Sequence, residues 1–358
     1  MFNFAVKFPG QTSARHTRRR TVTACRRLVV ASTVLPAMIS STSRAVLRVM
    51  VPCFMLGAIP AAAGDMPVLR PQELASGVFV HVGVHANATP ENFGAIANVG
   101  FVVGKRCVAV IDSGGSLAEG QALRSAITAR TPLPVCYVIN THVHPDHVYG
   151  NAAFIADKPE FVGHRNLPAS MQARRAYYEA YLDRTLGTVL AHESVQVLPG
   201  IAVGPPGAPA GMRQLDLGER LLSVQAWPTS HTDNDLTVCD EQTGTLWLGD
   251  LLFRERIPVI DGKLTGWLTT MEQLSGRQAK VVVPGHGAPG SDWPAMLGPQ
   301  QRYLVAVRDG VKAAIKAHRT IGQAAMEVAP DERGQWLLFD EFHAHNVTVA
   351  FTELEWDD

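Results

Sequence analysis

Residues 1–63 contain no aspartate and no glutamate, although nine of the chain's 32 lysines and arginines lie there. So one-sided a stretch reads as a targeting region rather than part of a folded body. Arg44 and Arg48 precede the apolar run 49–59, and Pro60-Ala61-Ala62-Ala63-Gly64-Asp65 follows. This is the order of a charged start, an apolar segment and a small-residue cleavage site. Cleavage is expected after Ala63, which makes the mature protein periplasmic or secreted. The apolar run is too short for a comfortable membrane span, so none is expected after cleavage. Upstream, Arg18, Arg19, Arg20, Arg26 and Arg27 lead into a second apolar run, 28–37. A start at Met38 would leave an ordinary signal peptide, and the arginine cluster also admits a twin-arginine reading, so the export route stays open.

Beyond residue 63 the balance reverses, with 23 basic residues against 32 acidic ones. A body near −9 argues against nucleic acid as the partner, because that binding rests on lysine and arginine neutralising phosphates. Cysteine is scarce and no CxxC pair occurs, which argues against a cysteine-based zinc site. Three cysteines remain after the leader: Cys107, Cys136 and Cys239. Each sits in or beside an apolar run, as a buried thiol does. One disulfide, Cys107 to Cys136, is open to them in an oxidising compartment. No repeat of 20 to 50 residues is visible. A hydrophobic content of 46% places the chain among globular proteins.

Strand patterns fall at 77–82, 96–103, 107–111, 133–139 and 161–164, and a helical period at 117–130 and 167–186. A further helix is expected to open at 150–155. The stretch 199–211, rich in Gly, Pro and Ala, breaks the pattern. Strands resume at 213–217, 221–227, 236–240 and 245–248, then comes a helix at 266–274, a strand at 280–283 and helices at 301–318 and 321–328. The tail carries Trp336, Leu338, Phe339, Phe342 and Trp356, enough apolar surface to pack on the body. This alternation says α/β. The expected division is a leader, 1–63, and one catalytic domain, 64–358, with a C-terminal helical extension.

One stretch concentrates the chemistry. Asn140-Thr141-His142-Val143-His144-Pro145-Asp146-His147 follows an apolar strand and places three imidazoles and a carboxylate within six positions. These nitrogens and oxygens are the donors that zinc and similar metals choose. Without a cation they would repel one another or need other partners. Three later strand ends each add a candidate: His231 in Pro228-Thr229-Ser230-His231, Asp250 in Leu248-Gly249-Asp250, and His286 in Pro284-Gly285-His286-Gly287. Every one is expected in a glycine- or hydroxyl-rich turn.

In this order the pattern resembles the metallo-β-lactamase superfamily. The resemblance implies a four-layer αββα sandwich. It also implies that His142, His144 and His231 hold one metal, that Asp146, His147 and His286 hold a second, and that Asp250 bridges them. Two zinc ions are expected, with iron or manganese as alternatives. Asp146 and Asp250 would orient a bridging hydroxide as the nucleophile, and Asp112 would accept a hydrogen bond from a ligand imidazole. His164, Arg254 and Arg256 are candidate substrate contacts, whereas His81, His85, His192, His318, His343 and His345 read as surface or capping residues. The strings Thr141 to Asn151, Gly163-His164-Arg165-Asn166-Leu167-Pro168 and Asp261-Gly262-Lys263-Leu264-Thr265-Gly266-Trp267-Leu268 are similar to those of the quinoprotein relay system zinc metallohydrolases. That likeness implies export and a functional link to a quinone-dependent dehydrogenase. Three functions follow as expectations. The first is hydrolysis of an ester, thioester or lactone, ahead of β-lactams because an aspartate bridge resembles the glyoxalase II type. The second is mononuclear iron persulfide oxygenation, and the third a non-enzymatic role in quinone-cofactor assembly.

Overall fold

The computed structural model describes residues 68–204 and 211–356, all within one compact unit, Pro60–Asp358. The leader, its cleavage site after Ala63 and the start at Met38 lie outside the described residues. A first sheet joins β1 (Gln72–Ala75), β2 (Val78–His81), β3 (Val99–Val103), β4 (Val108–Ile111), β5 (Val135–Ile139), β6 (Glu160–His164) and β7 (Ile201–Val203) in sequence order. Its pairing is antiparallel up to β4 and parallel from β4 to β7. A second sheet, of β8 (Gly211–Asp216), β9 (Leu221–Ala226), β10 (Leu236–Asp240), β11 (Thr245–Phe253) and β12 (Val281–His286), runs in the order β12-β11-β10-β9-β8. Only β11 and β12 are parallel there. The helices are α1 (Leu117–Thr128), α2 (Pro145–Val148), α3 (Leu167–Leu186), α4 (Thr188–Glu193), α5 (Leu264–Ser275), α6 (Gly298–Lys316), α7 (Ile321–Glu327) and α8 (Phe339–Leu354).

Alternation along the strands divides the core into layers. Val78, Val80, Ala109 and Ile111 pack between the sheets against Leu222, Val224, Leu236 and Val238. Val108 and Val110 face the other way and meet Leu123 and Ile127 of α1. On the far side, Leu246, Leu248 and Val282 meet Trp267, Met271, Leu304, Val307 and Phe351 from α5, α6 and α8. The result is helix, sheet, sheet, helix: the four-layer α/β sandwich. Among the described residues, no helix is long and apolar enough to cross a membrane.

Several local expectations need correction. The helix expected to open at 150–155 is a 3-10 helix, Asn151–Asp157. Trp356 is 81% exposed and does not join the tail's packing, unlike Trp336 and Phe339. Strands β1 and β7 and helix α4 carry too little periodicity to be visible in sequence. β11 does not stop at Leu248 but runs on through Asp250 to Phe253, because its pairing with β12 continues there after that with β10 has ended at Trp247. Cys107 and Cys136, just before β4 and within β5, are disulfide-bonded with Cα atoms 5.8 Å apart, and Cys239 is free.

Candidate metal centre

All seven predicted ligands meet at one end of the sandwich. His142 to His147 leave the C-terminal end of β5, His231 follows β9, Asp250 lies within β11 and His286 closes β12. Parallel strands leave their ligand residues in a crevice beyond their carboxyl ends. Pro145 opens the one-turn helix α2 with its fixed φ, so that Asp146 and His147 turn in directly behind His144. Behind the loop, the buried side chains of Asn140 and Asn151 hydrogen-bond each other, Asn151 Nδ2 donating at 2.7 Å and Asn140 Nδ2 at 3.1 Å. Ser113 donates to Asn151 Oδ1 at 2.8 Å and, from its backbone, to His147 O. In β11 the pairing register shifts around Gly249, whose φ of +51 suits glycine and re-aims Asp250 at the cluster. Gly285 lies against Asp250: an added Cβ would come within 1.9 Å of Oδ1.

Donor atoms of His142, His144, His231 and Asp250 lie within 4.8 Å of one another, and so do those of Asp146, His147 and His286. Asp250 spans both groups. Its oxygens lie 3.6 Å from His142 Nε2, 3.3 Å from His231 Nε2, 3.1 Å from His147 Nε2 and 3.4 Å from His286 Nε2. Asp146 Oδ2 is 3.4 Å from His286 Nε2.

Each imidazole is oriented from behind. Nδ1 of His147 meets Asp112 Oδ2 at 2.8 Å, that of His231 the carbonyl of Val259 at 2.7 Å, that of His286 the carbonyl of Ile96 at 2.8 Å, and that of His142 the hydroxyl of Thr141 at 3.1 Å. Protonated there, these four rings point a bare Nε2 at the centre. His144 is reversed: Nε2 meets Asp261 Oδ2 at 3.1 Å, and Nδ1 faces His231 Nε2 at 3.0 Å. Asp112 makes a hydrogen bond to the imidazole of one candidate ligand, His147. Asp261, itself held by Arg174 at 3.2 Å, was not foreseen from sequence; its signal was an acid directly after the apolar run 257–260.

These residues fit a pair of metal ions. His142 Nε2, His147 Nε2 and Asp250 Oδ1 are buried without a hydrogen-bond partner, which costs free energy unless a cation meets them. Burial, reinforced by the neighbouring imidazoles, pushes His142 well below the usual histidine range, and burial takes His231 down to about 3. Asp250 is held well below the carboxylate range: burial opposes this, but His286, His147 and His142 outweigh it. Neutral imidazoles beside ionised carboxylates are the protonation states that metal binding requires. At His147 burial is outweighed by Asp250, Asp112 and Asp146, which raise its pKa well above normal.

The other candidates divide. A cavity of about 460 Å³ opens above the cluster, with His144, Asp146, Asp250 and His286 in its lining. Arg256 lines it, and so do Tyr177, Tyr178, Tyr181, Phe342 and His345, none of them expected there. Arg254 does not: it donates to the carbonyl of Ala288 and borders a separate cleft with Asp292. His164 is fully buried outside the cavity lining, accepting the backbone N–H of Asn166 at Nδ1. His343 belongs to the core rather than the surface, bonded to Tyr303 Oη and to the carbonyl of Val328.

The αββα sandwich and a two-part histidine–aspartate centre at its strand ends define a class of metal-binding proteins. The family model of the metallo-beta-lactamase superfamily matches residues 93–286, and the chain belongs to that superfamily. Among curated proteins none matches it. Of solved structures, a metallo-beta-lactamase from Pontibacter korlensis is 20% identical with a TM-score of 0.52, over 66% of this chain and 99% of that one. The lactamase TMB-1 is 18% identical, TM-score 0.51, over 67% and 98%. The sec-alkylsulfatase Pisa1 from Pseudomonas sp. is 15% identical, TM-score 0.58, over 79% of this chain but only 50% of its own. These likenesses establish the fold.

Proposed function

We propose that the protein is an exported, metal-dependent hydrolase that takes two zinc ions and cleaves an ester, thioester or lactone. The observation that supports this best is the position of Asp250, within 3.6 Å of imidazoles from both groups, each ring fixed from behind. His142, His144 and His231 would hold one ion, Asp146, His147 and His286 the other, with Asp250 between. When bound, zinc supplies Lewis acidity that lowers the pKa of water and polarises an acyl oxygen.

The chain's own contribution is positional. Asp146, 16% exposed at the cavity floor against 3% for Asp250, is the carboxylate a water can reach and to which it can give its proton. Asp250, with both oxygens facing imidazoles, holds the two halves in register. In the overall reaction the water oxygen bonds to the acyl carbon, the bond to the leaving oxygen or sulfur breaks, and that atom leaves with a proton. A link to a quinone-dependent dehydrogenase, drawn from the sequence strings, belongs to the same proposal.

Elemental analysis of the purified mature protein tests the centre, and ester, thioester, lactone and β-lactam panels test the reaction. Two zincs per chain are expected, with turnover that His144→Ala and Asp250→Ala abolish. One iron per chain, or inactivity across every panel with zinc, iron and manganese, would overturn the reading.

A further inference from the structure

We propose that the cavity over the metal centre selects compounds carrying an oxyanion group on an aromatic body, with Arg256 binding the oxyanion and aromatic side chains of α3 and α8 holding the body. This rests on the hydrolytic reading of the same centre and names its substrate class.

Arg256 is 5% exposed, yet among the described residues no carboxylate comes within 4.0 Å of its guanidinium. Its Nε is buried with no acceptor. Nη1 lies 3.4 Å from His286 Nδ1, but that nitrogen already faces the carbonyl of Ile96 at 2.8 Å. A ring nitrogen that donates its proton to a carbonyl has no lone pair to offer a second donor. Asp146 feels the charge of Arg256 without touching it, and a buried guanidinium with no counter-ion in contact is costly and rarely kept unless something supplies the missing charge. The second arginine of the cavity differs, since Arg174 is paired with Asp261.

The backbone is bent to produce this arrangement. Arg256 N–H donates to Arg254 O at 2.7 Å across a three-residue turn, and Glu255 at its centre has φ 66. Glutamate is seldom found in that region, and such strain concentrates where a site requires it. Its consequence is directional: Arg254 points away to Ala288 while Arg256 enters the cavity. Main-chain bonds between Leu337 N and Glu255 O, and between Ile257 N and Leu337 O, fix the turn on both sides. The Phe342 ring lies 5.2 Å from the guanidinium carbon, leaving that face covered and the group's rotation restricted. Tyr177, 67% exposed, and Tyr181 add aromatic wall. At about 460 Å³ the cavity suits a small molecule rather than a polymer.

The test is calorimetric titration of zinc-loaded protein with 3-phenylpropionate, 2-phenylethanesulfonate, neutral 3-phenylpropionamide and acetate, beside zinc content and melting temperature for each variant. The expected result is that either aromatic anion binds at least about tenfold more tightly than the amide, and that Arg256→Gln weakens the anions about 10- to 100-fold while leaving the amide within about threefold. Arg256→Lys should recover part of the loss. The exposed Tyr177→Ala should weaken all three aromatic probes about 3- to 10-fold and spare acetate. The ratio of sulfonate to carboxylate affinity tells which oxyanion is preferred. Wild-type anion affinity in a folded, zinc-replete Arg256→Gln protein would overturn the proposal, because the metals would then be the anchor. Should Arg256→Gln not fold, chelated wild type decides: anion preference over the amide persists if Arg256 is the anchor and vanishes if the metals are. Turnover separates the two readings. Selective binding without any hydrolysis removes the hydrolase and keeps the pocket, whereas equal hydrolysis of neutral and anionic esters keeps the hydrolase and removes the pocket.

Discussion

Asp112→Asn is the sharpest test of how the centre is held. Asp112 is 2% exposed and accepts three hydrogen bonds: from Thr141 N–H at Oδ1, 2.7 Å, and at Oδ2 from the Thr141 hydroxyl and His147 Nδ1, both 2.8 Å. Its φ of 54 is tolerated by asparagine, so the substitution adds no backbone strain. The amide oxygen can keep the Thr141 N–H, but an NH₂ group then faces His147. His147 Nδ1 must become an acceptor, which moves the ring proton to Nε2, directly opposite Asp250 Oδ1 at 3.1 Å. That nitrogen is then no longer a ligand. The released Thr141 hydroxyl can in turn donate to His142 Nδ1, 3.1 Å away, and shift that ring as well. One ligand in each group is affected, and losing an orienting partner typically costs about 10- to 100-fold in metal affinity, about 1.4–2.7 kcal/mol at each ion. Competition with a chromophoric chelator would read the stoichiometry and both affinities. In excess chelator the loss of charge-assisted bonds should lower stability by about 1.5–3 kcal/mol. Two zincs bound with wild-type affinity would refute the tautomer argument.

Two stability predictions stand apart from catalysis. The Cys107–Cys136 bond closes a loop of sequence separation 29, so removing it with a double serine substitution should cost about 3.5 kcal/mol and lower the melting temperature by about 5–10 °C; an unchanged melt would show that the bond does not constrain the unfolded chain. Glu119 is fully buried, and burial pushes its carboxyl from 4.5 up to about 8, against the opposing hydrogen bond from Gly115 N–H. The folded state then holds a proton that the unfolded state has lost, so in chelated protein this contribution is complete below pH 4.5 and fades as pH rises through 8. Its full size is of the order of 5 kcal/mol. Denaturant titrations from pH 5 to 9 should show that slope in wild type and a flatter one in Glu119→Gln; parallel slopes would count against it.

The clustering of the seven candidate ligands was legible because imidazoles gathered after apolar strands have few roles besides holding a cation, and helix α3 because its period is clear over 167–186. What escaped depends on chain direction in space. His144 faces the cluster with the nitrogen opposite to that of its neighbours, so its partner Asp261, 117 positions away, becomes visible only once the loop is folded. Arg254 and Arg256 looked equivalent in sequence, both lying just beyond Asp250; Glu255 in a left-handed conformation separates them without a glycine to announce it. Asp250 looked like a turn residue because Gly249 reads as a terminator, whereas here it shifts the register of a strand that continues. His343 looked like a surface residue until Tyr303 and Val328 supplied its partners.

The ligands are split between the sheets: four come from the loop after β5, and three from β9, β11 and β12. During synthesis the first four emerge long before His286, and they remain half a chelate until the second sheet has docked on the first. Metal ions held by the two groups would therefore belong to a late stage of assembly, and would then act as a rivet between two sheets that also share an apolar layer and the hydrogen bonds of Arg220 to Val103 O and Ser76 O. Chelation should thus loosen the seam of the sandwich and not merely empty a pocket on its rim.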